Sequence, residues 1–452
     1  MSEYKIKKTP GDTAWFTNDR FGMFIHFGLY SLPARHEWIK TIEEIDDSDY
    51  DRYFENFNPD LFDADEWAKE AKAAGMKYAV LTAKHHEGFC LFDSQYTDYK
   101  ITNTPFGRDL IKEYTEAFRR AGLKVGIYYS LIDWHHPEYP IDTIHPLREH
   151  PDAEALDRGR DMKIYAEYMR NQVRELLTNY GKIDILWFDF SFPNPDPKKI
   201  LGFAKEARVD PNPKPWMQFD GGKGKEEWEA EKLISLVRSI TPEIIINNRT
   251  GIPQDIFTPE QSQPKGWMRD EESGEYLTWE VCHTFSGSWG YNRDEMSWKS
   301  PKMLIDTLIK TVACGGNLIM NVGPTSRGRF DKRATCALGA YAEWMRSNSR
   351  AIYGCTMADS HLKAPHGTVL TQSEDGKRLY VHLLEYPFGS FDMPELVGKV
   401  KYAQFLCDGS EVLYGEKTLK NHDTGETYMT LSFNLPTVPP EEMTPVIEII
   451  LK

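Results

Sequence analysis

The segment KYAVLTAKHHEGF, residues 77–89, changes character near its centre. Before residue 84 it is an almost uninterrupted apolar run, which is typical of a strand buried on both faces. The polar residues KHHE and then a glycine follow directly. Because parallel strands are buried along their length and open at their carboxyl ends, the segment predicts a parallel strand that ends in a functional site.

Five further apolar runs are similar in length and composition: GMFIHFG (22–28), KVGIYYS (124–130), IDILWFDF (183–190), EIIINNR (243–249) and GNLIMNVGP (316–324). Between runs lie segments with helical periodicity that end in glycine, such as DADEWAKEAKAAG (63–75) and RDLIKEYTEAFRRAG (108–122). This alternation predicts an α/β fold of the (β/α)8-like barrel type, with the remaining strands in the irregular region 260–290. An open doubly wound sheet is the alternative, although no GxGxxG follows the first strand.

After residue 352 the pattern changes to alternating strands joined by glycine-containing turns. We therefore predict two domains, a catalytic barrel over 1–352 and a small β-sandwich over 353–452. The proline-rich stretch 191–215 predicts a long loop at the mouth of the barrel.

The composition excludes several classes of function. A net charge of −15 over 452 residues disfavours a nucleic acid partner, and no apolar stretch approaches the length of a membrane span. The amino-terminal residues lack the apolar region of a signal peptide, so we expect a cytoplasmic protein. The six cysteines show no CxxC spacing, which predicts free thiols and no zinc site. The oligomeric state does not follow from the sequence.

The strand ends carry a consistent set of polar side chains. They are His26 after the first run; His85, His86 and Glu87 after the second; Tyr128, Tyr129 and Asp133 in or after the third; Asp189 in the fourth; and Asn247, Asn248 and Arg249 in the fifth. Aromatic residues that suit a sugar-binding cavity lie nearby, namely Trp38, Trp134, Trp187 and Trp289. A single histidine such as His26 is also compatible with a hydrogen-bonded core position.

Three kinds of chemistry could use these residues. A metal site would draw on His26, His85, His86 and Asp133, but neither HxH nor HExxH spacing is present. A serine or cysteine nucleophile would need an elbow, and no GxSxG occurs. Catalysis by two carboxyl groups remains, and Asp189 at a strand end suits the ionised member because no helix start follows it. No metal or other cofactor is expected.

Six motifs together resemble glycoside hydrolase family 29, the retaining α-L-fucosidases. They are WFTNDRFGMFIHFGLYSLPARHEW, KYAVLTAKHHEGFCLFDSQYTDY, GIYYSLIDWHHPEY, ILWFDF, INNR and GGNLIMNVGPTSRGRF, and the resemblance runs from Trp15 to Trp344. It implies a barrel followed by a sandwich and an exo-acting hydrolase that removes terminal α-L-fucosyl residues from oligosaccharides or glycoconjugates by double displacement.

The resemblance also implies roles for single residues. The sugar-binding positions are His26, Glu37, His85, His86, Tyr128, Trp187, Arg249 and Trp289, with Trp38 beside Glu37 as a further aromatic wall. Asp189 corresponds to the nucleophile. Glu260, eleven residues after Arg249, corresponds best to the acid/base, with Glu271, Glu272 and Glu280 as alternatives.

The sequence departs from the family pattern in two places. Glu87 follows the histidine pair where aspartate is more common in the family, and residues 193–225 look like an insertion after the nucleophile strand.

Overall fold

A curled sheet of seven parallel strands dominates the computed structural model, which describes residues 4–193, 214–219, 222–420 and 423–452. The strands described before residue 352 are β1 Phe21–Ile25, β2 Tyr78–Lys84, β3 Lys124–Ser130, β4 Ile185–Asp189, β5 Phe192–Pro193, β6 Gly222–Lys223, β7 Ile245–Ile246, β8 Glu280–Thr284 and β9 Asn317–Val322. The sheet order is β7-β4-β3-β2-β1-β9-β8, while β5 and β6 form a separate antiparallel pair. The six predicted strands are therefore all present, and β8 lies in the region predicted to hide a further strand.

Helices flank the sheet, as the alternating pattern predicts. Within the described ranges they are α1 Ala14–Asp19, α2 Ile39–Ile42, α3 Asp47–Glu55, α4 Ala64–Ala73, α5 Leu110–Arg120, α6 Ala153–Asp157, α7 Met162–Asn179, α8 Ala230–Ile240, α9 Pro301–Ala313 and α10 Lys332–Asn348. Short 3₁₀ helices occur at Leu29–Ser31, Ile101–Asn103, Pro146–Glu149, Ser349–Ala351 and Pro394–Leu396. Local sequence sets where helices begin. For example, Asp63 and Asp109 accept hydrogen bonds from backbone N–H groups in the first turns of α4 and α5. Among these helices, none combines the length and apolarity needed to cross a membrane.

The barrel closes through an irregular segment, residues 256–260, that lies between β7 and β8. The Ile246 carbonyl accepts from the Ile256 N–H at 3.2 Å, and the Phe257 N–H donates to the Thr278 carbonyl at 3.0 Å. Isolated parallel bridges continue this pairing as far as Glu260 and Cys282. The segment contains a proline, which lacks a backbone donor, so it pairs at isolated points and not as a regular eighth strand. The (β/α)8-like prediction is thus confirmed, with seven regular strands and an irregular closure.

The carboxyl-terminal strands form two antiparallel sheets. They are β10 Cys355–Met357, β11 Thr368–Ser373, β12 Arg378–Leu383, β13 Ser390–Met393, β14 Val400–Phe405, β15 Tyr414–Lys420, β16 Thr427–Asn434 and β17 Val446–Leu451. One sheet has the order β10-β11-β12-β17-β14 and the other β13-β16-β15. Side chains of both sheets, such as Val381 and Phe433, share one buried cluster, as in a sandwich. The boundary at residue 352 stays a prediction, and most of the expected insertion 193–225 lies outside the described residues.

A buried ion pair ties β2 to the loop after β3. Lys84 Nζ lies 2.9 Å from Asp133 Oδ2, and the two side chains are almost fully buried. Burial alone raises the pKa of Asp133, but Lys84 and the two following histidines more than offset it, so the pKa lies below its ordinary value. Asp133 also accepts hydrogen bonds from the backbone of His135 and His136, which holds the loop against the sheet.

We predict that Asp133→Ala destabilises the protein by about 3–5 kcal/mol, because it leaves the ammonium of Lys84 buried without its carboxylate. Urea unfolding followed by circular dichroism measures the change. Asp65→Ala is the matched control, since Asp65 pairs with Arg120 on the surface and its loss should barely move the midpoint. Equal effects of the two substitutions would contradict the importance of the buried pair.

Candidate active site

One pocket at the carboxyl ends of the barrel strands collects every residue to which the family resemblance assigns a role. Its lining comprises Phe24, His26, Glu37, Trp38, His85, His86, Tyr128, Trp187, Asp189, Phe190, Arg249, Glu260, Cys282 and Trp289. It encloses about 350 Å³ of empty space, part of it open to solvent, which is at the small end of the range for small-molecule sites. Such a volume suits a single monosaccharide unit.

Two carboxylates meet at Arg249 in this pocket. Its Nη1 donates to Asp189 Oδ1 at 3.0 Å and to Glu260 Oε2 at 2.9 Å. Since both contacts share one nitrogen, the two oxygens are at most about 5.9 Å apart, the two contact lengths laid end to end. This limit applies to the two oxygens that face Arg249, and it is compatible with the separation of about 5–5.5 Å between the carboxyl groups of retaining glycosidases.

The two carboxylates differ in their surroundings. The Asp189 side chain is 13% exposed and accepts a second hydrogen bond from the Tyr128 hydroxyl at 2.9 Å, whereas the Glu260 side chain is 44% exposed at the mouth. Burial, reinforced by the charge of Glu260, raises the pKa of Asp189, while Arg249 and Tyr128 oppose the shift. Both carboxylates in turn raise the pKa of Arg249, so the guanidinium keeps its charge.

Three histidines line the floor of the pocket. The ring of His85 stacks on Tyr128, with centroids 5.7 Å apart, and its Nδ1 lies 3.5 Å from Glu87 Oε2. Glu87 itself is buried below the pocket. The strand β2 ends at Lys84, just before the histidine pair, so the two side chains need not diverge as they would on a strand.

Gly88 makes this turn possible. Its φ is +84°, and a Cβ there would lie 2.2 Å from Asp133 Oδ1, so a larger residue would be excluded by both conformation and space.

Aromatic rings form the walls. Trp187 stacks against Tyr128 at 5.8 Å and lies under the Arg249 guanidinium at 4.9 Å. On the other side, Trp38 contacts the rings of His86 and Phe190 at 4.8 and 5.0 Å. Flat apolar faces beside imidazole and carboxylate groups are what binding of a pyranose ring requires.

Glu37 joins two of the pocket loops. Its Oε2 accepts a hydrogen bond from the Gly290 N–H at 2.8 Å, and so holds the loop that carries Trp289. The Trp289 ring in turn lies 5.2 Å from the His26 ring.

Other polar residues at the strand ends have structural contacts. Asn247 bonds the backbone of Phe188 through both amide atoms, and Asn248 Oδ1 accepts from the Thr258 N–H and hydroxyl. Tyr129 donates to Gln172. These residues hold neighbouring strands and loops together but do not line the pocket.

The alternative acid/base residues also lie elsewhere. Glu271 and Glu272 are exposed on a turn, and Glu280 is buried inside the barrel, where it accepts from the Tyr78 hydroxyl at 2.5 Å and from Trp187 Nε1 at 3.2 Å. Burial raises the pKa of Glu280 to about 7, although both hydrogen bonds act against the shift. Of the four candidates, Glu260 alone lines the pocket with Asp189.

Phe24, Phe190 and Cys282 are pocket residues that sequence reasoning missed. Two of them could have been found from strand geometry, because residues two apart on a strand point to the same face. Phe24 lies two residues before His26, and Cys282 lies two residues after Glu280. Phe190 directly follows Asp189 and has a φ of +78°, which no sequence pattern indicated. Burial raises the pKa of the Cys282 thiol well above its ordinary value, so it is a poor nucleophile at neutral pH.

The four residues considered as metal ligands, His26, His85, His86 and Asp133, do not come together in one cluster. Asp133, its only carboxylate, faces Lys84 and not the pocket. Across the described residues, no group of three or more His, Cys, Asp or Glu side chains is arranged to hold a metal ion.

Comparisons with known proteins agree with this geometry. A family model described as alpha-L-fucosidase matches residues 3–350. The solved structure of alpha-L-fucosidase isoenzyme 1 from Paenibacillus thiaminolyticus is 42% identical, covers 97% of this chain and 98% of its own, and has a TM-score of 0.83. The alpha-L-fucosidase of Dictyostelium discoideum is 26% identical over 96% of this chain and 90% of its own length.

A further solved structure, a GH29 alpha-L-fucosidase from Bacteroides thetaiotaomicron, is 25% identical, covers 100% of this chain and 98% of its own, and has a TM-score of 0.79. It is a covalent intermediate with 2-fluoro-fucosyl fluoride, trapped in a glutamate-to-glutamine mutant.

We predict that Glu280→Gln becomes increasingly stabilising as the pH rises. In the unfolded chain a glutamate ionises near pH 4.3, whereas in the fold the raised pKa delays ionisation to about 7. Between these values the folded wild type holds a proton that the unfolded chain has lost, so its stability falls by on the order of 4 kcal/mol across them, while glutamine does not titrate.

Urea unfolding of wild type and variant at pH 5 and pH 8 measures this difference. Glu271→Gln, on the exposed turn, is the control and should show no such trend. A stability difference for Glu280→Gln that is independent of pH would contradict the prediction.

Proposed function

Because the chain belongs to the alpha-L-fucosidase family, glycoside hydrolase family 29, we propose that it is a retaining exo-α-L-fucosidase in which Asp189 is the nucleophile and Glu260 the acid/base. The observation that carries the proposal is the meeting of both carboxylates at Arg249, where the two oxygens that face its Nη1 are at most about 5.9 Å apart.

The first step is displacement at the anomeric carbon. Asp189 attacks this carbon and forms the ester bond, while Glu260 transfers its proton to the glycosidic oxygen and the leaving group departs as an alcohol. Arg249 and Tyr128 each hold one oxygen of Asp189, which orients the carboxylate for attack. The greater exposure of Glu260 supports its assignment as the residue that faces the leaving group.

The second step reverses the roles. Glu260, now ionised, takes a proton from water, and the hydroxide attacks the anomeric carbon and releases Asp189. Fucose leaves with retained configuration, and Glu260 regains its proton. Since Asp189 must be ionised to attack, kcat/KM falls as the pH drops through its raised pKa.

The shape of the pocket supports exo action on fucosylated oligosaccharides or glycoconjugates. Its volume suits one sugar unit, and its lining combines aromatic walls with a histidine floor. The trapped covalent intermediate of the Bacteroides thetaiotaomicron relative supports the same two-step chemistry.

We predict that Asp189→Asn lowers kcat for an aryl α-L-fucoside on the order of 10⁴-fold, because the amide is a poor nucleophile of nearly the same size. Initial rates and the melting temperature measure activity and folding separately. Asp184→Asn, just before β4 at the opposite end of the barrel, is the matched control and should keep its activity. Activity of Asp189→Asn within about tenfold of wild type would contradict the assignment.

We predict that Glu260→Ala slows the hydrolysis of a fucosylated oligosaccharide by about 10²–10⁴-fold but affects a fucoside with an activated aryl leaving group far less. The aryl group departs without a proton, and added azide should restore turnover because a small anion needs no base. Product analysis should then show α-fucosyl azide. Equal loss on both substrates in Glu260→Ala would contradict its assignment as the acid/base. If Glu271→Ala or Glu280→Ala then showed the selective loss and the rescue by azide, that residue would be the acid/base.

A further inference from the structure

Asn321, a buried residue of β9, connects two walls of the pocket. Its Nδ2 donates to the Trp289 carbonyl at 2.6 Å, and its Oδ1 lies 2.6 Å from His26 Nδ1. A carbonyl oxygen can only accept hydrogen bonds, so the amide must present its NH₂ group to Trp289 and its oxygen to His26.

This orientation settles which nitrogen of His26 bears hydrogen. The amide oxygen is also an acceptor only, so His26 Nδ1 must be the N–H donor. Burial, with the imidazole of His85 nearby, lowers the pKa of His26 well below its ordinary value, so the ring stays neutral. Its other nitrogen, Nε2, then carries a lone pair for the pocket that the ring lines.

Ser130, the last residue of β3, imposes the same state on His86. The Ser130 hydroxyl donates its single proton to the Ile132 carbonyl at 2.8 Å. Its oxygen, 2.7 Å from His86 Nδ1, can therefore only accept there. Burial also lowers the pKa of His86 well below its ordinary value, so this ring too is neutral, with Nε2 as the acceptor.

We propose that Asn321 and Ser130 are positioning residues that hold His26 and His86 as Nδ1–H tautomers, so that both Nε2 atoms accept hydrogen bonds from hydroxyl groups of the sugar. The proposal rests on the proposed function in taking a sugar as the ligand. The floor of the pocket then selects ring positions that carry a hydrogen-bond donor, and it disfavours ligands with fluorine or an ether oxygen there.

Nitrogen-15 NMR of the protein with labelled histidines tests the tautomers directly, without any measurement of activity. The signals of the two rings are assigned from their loss in His26→Gln and His86→Gln. We expect both rings to be neutral, with hydrogen on Nδ1 and none on Nε2. Hydrogen on Nε2 of either ring would overturn the proposal for that histidine, whether or not the protein cleaves fucosides.

The same NMR measurement on Ser130→Ala tests the role of Ser130 separately from that of Asn321. Without its acceptor, His86 should become a mixture of both tautomers, while His26 keeps its wild-type signal. The kcat/KM for an aryl fucoside should fall between about twofold and tenfold, mainly through KM. A His86 signal identical to that of wild type would show that Ser130 does not set the tautomer.

Asn321→Asp adds a test through the pH profile. The new carboxylate raises the pKa of His26, which in the wild type faces the imidazoles of His85, His86 and His36 and the phenol of Tyr128. As the pH falls through that raised value, Nε2 gains a proton and can no longer accept. The kcat/KM should therefore drop by about tenfold on the acid side and recover as the pH rises.

Asn348→Asp is the matched control, because Asn348 is also buried and donates to a backbone carbonyl, that of Trp344, far from the pocket. It should lower stability without changing the shape of the pH profile. If Asn321→Asp likewise gives the wild-type profile at reduced amplitude, Asn321 has a structural role only. Should Asn321→Asp fail to fold, the NMR measurements on wild type and Ser130→Ala still decide the proposal.

Discussion

The guanidinium of Arg249 joins the two parts of the chain that make the site. Asp189 ends the regular strand β4, whereas Glu260 belongs to the irregular segment that closes the barrel between β7 and β8. Arg249 bonds both, and it also donates to the hydroxyl and carbonyl of Thr258 within the closing segment. The arrangement of the two carboxylates thus depends on barrel closure, because the pairing that completes the sheet also positions Glu260, the proposed acid/base.

A second layer of buried polar contacts keeps the pocket side chains in place. Lys84 and Asp133 fix the loop after β3, and Asn321 and Ser130 orient two of the histidines. Buried polar groups are stable only when their hydrogen-bond partners are present. Each of these contacts therefore restricts the side chains that line the pocket to one arrangement. A sugar site needs this restriction, since a hydroxyl group can donate or accept and the protein must specify which.

The carboxyl-terminal sandwich supports the barrel from outside the site. Arg20, which precedes β1, donates to the carbonyls of Cys355 in the sandwich and Gly315 in the barrel at 2.8 and 2.9 Å. Among the residues that the structure describes, those lining the pocket all belong to the barrel part of the chain. The function proposed here therefore rests on the barrel, while the cytoplasmic location and the domain boundary stay predictions.

The sequence by itself determined the barrel strands and most of the pocket. Apolar runs bury strands, and a polar residue at the end of such a run, as with His85, His86 and Asp189, has to emerge at the common edge of the sheet. The spacing after Arg249 favoured Glu260 over Glu280, and the tertiary structure gives the physical reason, because β8 directs Glu280 into the barrel interior and the closing segment brings Glu260 to Arg249. It also revealed Asn321, whose contacts with His26 and Trp289 join β9 to the end of β1 and to the loop after β8, which are distant in sequence. Contacts of this kind depend on barrel closure and hydrogen-bond direction, and no local pattern in the sequence contains either.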